Sequence, residues 1–144
     1  MSIKQISVFL ENRPGTLKKL TSVLAKNNID MRATSLAETK DFGIARIIVD
    51  DAYEAVNTLK ENDFVASLTS VLGVEIPDEA GGLDKLLDYF AEADVNIEYM
   101  YAFPSRSAAS QAYMIFRVAD TKAAEAKLAN TGLKLLSQED IANI

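Results

Sequence analysis

Apolar and polar residues alternate through Ile6, Val8 and Leu10, the period of a strand with one buried face. The period then lengthens. Leu17, Leu20, Val23 and Leu24 recur at helical spacing and form one apolar stripe. Asn27 and Asn28 end that helix, because Asn tolerates the left-handed conformation that closes many helices. A strand is predicted from about Ile29 to Glu38, then a turn at "TKDFG" and a strand in "GIARIIVD". Asp50 and Asp51 cap a helix that turns Val56 and Leu59 inward, and a last strand begins near Phe64. The order is β-α-β-β-α-β.

The second half repeats it. "SVLGVEI" reads as a strand, and "GGLDKLLDYFAEA" as a helix with Leu83, Leu86, Leu87 and Phe90 on one face. "VNIEYMYAF" and "QAYMIFRVA" are strands joined by the Ser-rich connection "PSRSAAS". Asp120 caps "TKAAEAKLAN", Gly132 closes it, and "LKLLS" is the final strand. Gly15 and Gly81 stand 66 positions apart, and the same shift carries Leu17 to Leu83, Leu20 to Leu86, Leu24 to Phe90 and Ile29 to Val95. Five positions in register indicate a duplication. The expected fold is therefore α+β, with units at residues 1–70 and 71–144. Each would be a ferredoxin-like β-α-β-β-α-β unit with its strands in the order 4-1-3-2 and both helices on one face. The open face of each sheet must then pack against something or be unusually polar. No linker separates the units around Ser70 and Val71, so they are expected side by side in one continuous antiparallel sheet.

Composition narrows the functions. The 144 residues carry a net charge of −6, which disfavours a nucleic-acid surface or an anionic membrane. There is no Cys and no His, which removes thiol chemistry, the commonest general base and the commonest zinc ligands. Carboxylate spacing shows no calcium-type loop, so no metal and no cofactor is expected. "MSIKQISVFL" lacks the features of a signal peptide, and no apolar run reaches the length of a membrane span. A cytoplasmic, non-catalytic protein is the expectation. An acylphosphatase would share the fold, but its Gly-rich, Arg-containing loop is absent. An RNA-recognition module is opposed by the acidic charge and by "GIARIIVD" where an aromatic-rich strand would stand.

The stretch "ENRPGTLKKL" admits two readings. Pro14 suits a first helical turn, and Gly15 permits a sharp change of direction, so the loop can be a plain helix start. Equally, Gly15 lets a ligand approach the backbone, and the helix behind it offers free N–H groups to a carboxylate or phosphate. "PDEAGG" places Gly81 and Gly82 at the same point of the second unit and leaves the backbone more open still.

"ENRPGTL", the following helix and "NIDM" resemble an ACT domain, the small module through which biosynthetic enzymes sense amino acids. The resemblance covers nearly the whole chain, and its doubling is similar to tandem-ACT regulators. "ENRPG" is similar to the serine-sensing loop of phosphoglycerate dehydrogenase, although Leu10 stands where that pattern has a His. The second unit matches more loosely, since Asp78 replaces the loop Asn and the Pro is missing.

The resemblance implies that Asn12, with Pro14, Gly15, Thr16 and Leu17 around it, holds a free amino acid. It implies a second polar contact at Asp30 in unit one and at Asn96 in unit two. Asp78, Gly81, Gly82 and Leu83 are the equivalent loop positions. The loop residue and the second polar residue are 18 positions apart in both units. A helix of about eleven residues spans roughly 16 Å, so one small ligand cannot touch both ends of it. Edge-to-edge packing would instead pair Asn12 with Asn96 and Asp78 with Asp30. Tyr99, Met100 and Tyr101 either line a pocket or belong to the core. The implied partners are a small amino acid and a separate protein target or homodimer partner. The rival reading is a ligand-independent interaction or oligomerisation module. A neutral Asn–Asn site and an acidic Asp–Asp site predict unequal affinities, which calorimetric titration with the common amino acids would show as two distinct binding steps.

Overall fold

The computed structural model describes residues 2–106 and 111–144, so the end of "PSRSAAS" lies outside the described residues. The chain divides into two compact units. One is Lys4–Thr69; the other is Ser70–Ile144 together with the N-terminal residues up to Ile3.

The first unit contains β1 (Ile3–Glu11), α1 (Thr16–Lys26), β2 (Ala33–Glu38), β3 (Phe42–Ile48) and α2 (Ala52–Glu61). It also contains the first part of β4 (Val65–Pro77). Its sheet order is β2-β3-β1-β4, with β1 and β2 both antiparallel to β3. Alternation decides which face is buried. Ile6, Val8 and Leu10 of β1 meet Ala45 and Ile47 of β3, and on this layer sit Leu20 and Leu24 of α1 and Ala55, Val56 and Leu59 of α2. Both helices therefore cover the same face.

The second unit continues with α3 (Gly82–Glu92), β5 (Tyr99–Phe103), β6 (Gln111–Arg117), α4 (Thr121–Leu128) and β7 (Lys134–Leu136). Its order is β5-β6-β4-β7, all antiparallel, which is the same 4-1-3-2 order in its own numbering. Leu72, Val74 and Ile76 pack with Leu86, Phe90, Ala124 and Leu128. Phe90 and Phe116 sit with ring centroids 4.8 Å apart at the centre. On the opposite face Tyr101, Phe103, Tyr113, Ile115 and Leu136 are also buried.

Three helices close in the same way. At α1, Asn28 takes a left-handed φ of 56°, its N–H donates to Ala25 O, and the next N–H, from Ile29, donates to Leu24 O. Asp63 after α2 and Asp94 after α3 repeat the pattern, with Phe64 donating to Leu59 O and Val95 to Phe90 O. Each is a Schellman closure, in which the residue after the left-handed one packs apolar surface back on the helix.

Two expectations need correction. The strand expected from Ile29 begins only at Ala33, and the one expected from Val95 begins at Tyr99. Ile29 and Met31, like Val95 and Ile97, alternate inward against the core, which mimics strand periodicity. Pairing is what they lack: the first bonds to the neighbouring strand come at Arg32 N–H to Ile48 O and Glu98 N–H to Arg117 O. The second correction is a seventh element in the last unit. After β7 a short helix, α5 (Gln138–Asn143), buries Ile141 and starts with a capping box in which Ser137 and Asp140 cap each other's backbone.

Asp51 and Asp120 accept from the N–H of Glu54 and Ala123, each at 3.0 Å, and so cap α2 and α4. Replacing either by Ala is expected to lower the unfolding free energy by about 1 kcal/mol, read as a fall in the urea midpoint at unchanged slope.

Candidate functional site

The loops entering α1 and α3 have the same construction. In the first, Arg13 N–H donates to Glu11 O at 2.9 Å and Thr16 N–H reaches Arg13 O at 3.5 Å. In the second, Glu79 N–H donates to Pro77 O at 3.0 Å and Gly82 N–H to Glu79 O at 3.1 Å. Gly15 and Gly81 are the N-caps, with φ of 89° and 84°, a region where an added Cβ is strained. Open space surrounds both: a Cβ on either would meet nothing within 4 Å. Neither helix has a side-chain cap, whereas α2, α4 and α5 are capped by Asp51, Asp120 and Ser137. The first N–H groups of α1 and α3 and the positive ends of their dipoles thus lie behind an uncovered turn.

Beside the first loop is a cleft of about 350 Å³ lined by Leu10, Glu11, Asn12, Arg13, Gly15, Thr16, Leu17, Leu36, Glu38 and Gly43. Strand register brings the far wall in. Leu36 and Glu38 lie opposite Ala45 and Gly43, so they face the helix side of the sheet, and Gly43 also lies opposite Leu10. Leu17 was expected in the buried helical stripe. It is instead 40% exposed and forms the apolar wall of the cleft, while Leu20 and Leu24 alone continue into the core. Leu17 stands one turn before them, beyond the end of the helix that the sheet can cover.

Asn12 Nδ2 donates to Glu38 Oε2 at 2.8 Å and also lies within reach of Thr39 O and Lys40 O, at 3.3 and 3.4 Å. Its backbone N–H donates to Asp41 O at 3.0 Å. Asn12 therefore ties the loop to the turn between β2 and β3. All three side-chain contacts use the amide nitrogen, and none uses the amide oxygen. The Thr16 hydroxyl folds back to Glu11 O at 2.9 Å, bracing the turn from inside. Pro14 is an exposed turn residue outside the cleft lining.

The remaining sequence-derived positions are more dispersed. Asp30 is exposed just past the other end of α1, in a small cleft with Asp50, Asp51 and Glu54. Asp78 and Asn96 are exposed on either side of α3, so in each unit a whole helix separates the two polar positions. Leu83 packs against the core, and so does Met100, while Tyr101 is buried. Gly82 lines a cleft of about 330 Å³ yet is closely packed on one side. It is buried, and a Cβ there would come within 2.5 Å of Pro77 O, the carbonyl equivalent to the one Thr16 bonds in unit one. Glu38, Leu36 and Gly43 are cleft residues that the loop sequence did not reveal. The signal for them was the alternation in "ATSLAE", which puts Leu36 and Glu38 on one face, at the hairpin end nearest the loop.

The sequence profile of the ACT domain pair matches residues 1–144. The chain belongs to the ACT domain pair family. The solved structure of a protein from Bacteroides thetaiotaomicron is similar at 38% identity and a TM-score of 0.90, covering 100% of this chain and 98% of that one. The regulatory subunits of aspartate kinase from Thermus thermophilus and Thermus flavus are similar at 20% and 19% identity, with TM-scores of 0.65 and 0.62. Each of these alignments covers 90% of both chains. No curated protein sequence matches the chain. Among the described residues of this ACT pair no helix is long and apolar enough to cross a membrane, and no acidic cluster could hold a metal ion.

The two ACT loops differ in what a methyl group would do. Thr16→Ala loses one hydrogen bond and should cost about 1 kcal/mol. Gly82→Ala forces a methyl against a carbonyl and should cost more, about 1–3 kcal/mol. Chemical denaturation of the two variants checks the order.

Proposed function

We propose that this ACT pair is a non-catalytic regulatory protein that binds a free amino acid in the cleft at the entrance of α1. The observation that carries the reading is the uncapped turn at Gly15, open to a cleft with an acidic group and apolar walls. The ligand carboxylate takes the N–H groups and dipole at the start of α1. Its ammonium takes Glu38, whose carboxylate has acceptor capacity beyond the one bond from Asn12. Leu10, Leu17 and Leu36 then leave an apolar place for the side chain, in keeping with Leu10 at the position where the serine-sensing pattern has a polar residue. An amino acid with an apolar side chain is preferred over serine.

The second loop, drawn tight around Gly82 and lacking the Asn, is proposed to bind more weakly or not at all. Regulation follows from linkage. The ligand acts on a separate protein target only through its difference in affinity for the free and the target-bound chain. The absence of His and Cys from the sequence supports a role without catalysis.

Calorimetric titration with the common amino acids tests this. Saturable binding of one or a few apolar ones is expected, weakened at least about tenfold by Glu38→Gln, since a charge-assisted bond is lost. The same titration on Asn12→Ala and Asn96→Ala tests the roles that the family resemblance assigns them. A folded, ligand-free protein that binds none of the panel, or binding indifferent to Glu38→Gln and Asn12→Ala alike, would overturn the reading in favour of an interaction module.

A further inference from the structure

Three of the chain's six glycines take a left-handed φ, and two more, Gly73 and Gly82, lie where an added Cβ would strike another residue. Gly43 has neither reason to be glycine. Its φ lies outside the left-handed region. A Cβ built on it would meet Leu36 Cδ1 at 3.5 Å, Ala37 O at 3.6 Å and Leu10 O at 4.0 Å, all ordinary van der Waals distances. It stands in an interior strand, paired with β1 on one side and β2 on the other, where glycine weakens a sheet. The ladder passes through it in unbroken register, so it marks no bulge. A strand glycine of this kind points to a close approach from outside the sheet.

The duplication supplies an internal control. Leu10 and Ile76 are 66 positions apart, the shift of the repeat, and Ala112 lies opposite Ile76 as Gly43 lies opposite Leu10. Ala112 packs against the core of the second unit. The same place in the same fold therefore accepts a Cβ in one unit, and the sheet itself does not demand the glycine in the other.

Gly43 is also the middle of a row. Glu38, Gly43 and Leu10 lie side by side across β2, β3 and β1, and all three line the cleft at the start of α1. With neighbouring strands about 4.8 Å apart, the outer two backbones stand about 10 Å from each other, and no side chain fills the gap between them. In the proposed site the ammonium group lies at Glu38 and the carboxylate at the first N–H groups of α1. A ligand that joins these two points passes over Gly43, with Leu10, Leu17 and Leu36 around its side chain. We infer that the bare backbone at Gly43 is the floor of the side-chain pocket and sets its size, admitting valine, leucine and isoleucine, which a methyl group there would crowd out. The inference rests on the cleft reading given above and adds its size limit. At about 350 Å³ the cleft is near the lower end of the range for small-ligand sites, about 300–1,000 Å³, so a single methyl group matters.

Calorimetric titration of the full chain with glycine, alanine, valine, leucine and isoleucine, on the wild type and on Gly43→Ala, tests it. The wild type should bind the three branched amino acids more tightly than alanine. In Gly43→Ala their dissociation constants should rise at least about tenfold, the worth of one methyl group in an apolar pocket, while that of alanine changes by less than about threefold. The circular dichroism spectrum and the urea midpoint should stay close to those of the wild type. A purely structural role for Gly43 would weaken every ligand alike. A Gly43→Ala protein that keeps the wild-type ratio between leucine and alanine, or one that no longer folds, would therefore overturn the inference and leave the cleft reading standing. A wild type that binds no amino acid at all removes the cleft reading, and the inference with it.

Discussion

A strand that runs along the sheet and a helix that lies back across it can be joined in three or four residues only if one of them reverses the backbone sharply. Gly15 and Gly81 do so, at φ near 90°, and much else in each unit depends on that reversal. It sets the start of the helix, and hence which stripe of the helix reaches the core. It also leaves the first turn of that helix facing outward with no side chain to cap it. The same backbone requirement therefore generates both the packing and the opening in which a ligand can sit. That is why the feature recurs in both units although the residues around it have diverged.

Divergence is most informative where the two loops are compared atom for atom. Thr16 bridges to the carbonyl of Glu11 through its hydroxyl, whereas Gly82 lets the carbonyl of Pro77 approach directly. Asn12 fastens the first loop to the neighbouring hairpin through Glu38, and Asp78, an acceptor without a donor, cannot form that bond. One loop is braced by side chains, and in the other the backbone itself closes the same gap.

Much of this was legible in the residues. Alternation in Ile6, Val8 and Leu10, the stripe of Leu20 and Leu24, the Asp caps and the register of the repeat all express local periodicities that tertiary packing did not override. The strand starts after α1 and α3 were misplaced because Ile29 and Met31 alternate inward without a hydrogen-bonded neighbour, and periodicity reports burial rather than pairing. The terminal helix was missed although "SQED" carries a capping-box pattern, since six residues hold too few apolar positions to show a period. In the cleft, Asn12, Gly15, Thr16 and Leu17 were readable from the loop. Leu36, Glu38 and Gly43 were not, because strand register brings them there from more than twenty residues away.

The strand β4 runs unbroken from Val65 to Pro77, while the division between the two compact units falls inside it, between Thr69 and Ser70. Most two-unit chains offer a protease, or an experimenter with a restriction map, a loop at which to part the halves. Here any such cut would sever a strand in mid-course and leave each half with a ragged, unfinished edge. The boundary between the repeats is thus written into one hydrogen-bonded element, and residues on either side of it belong to the same strand.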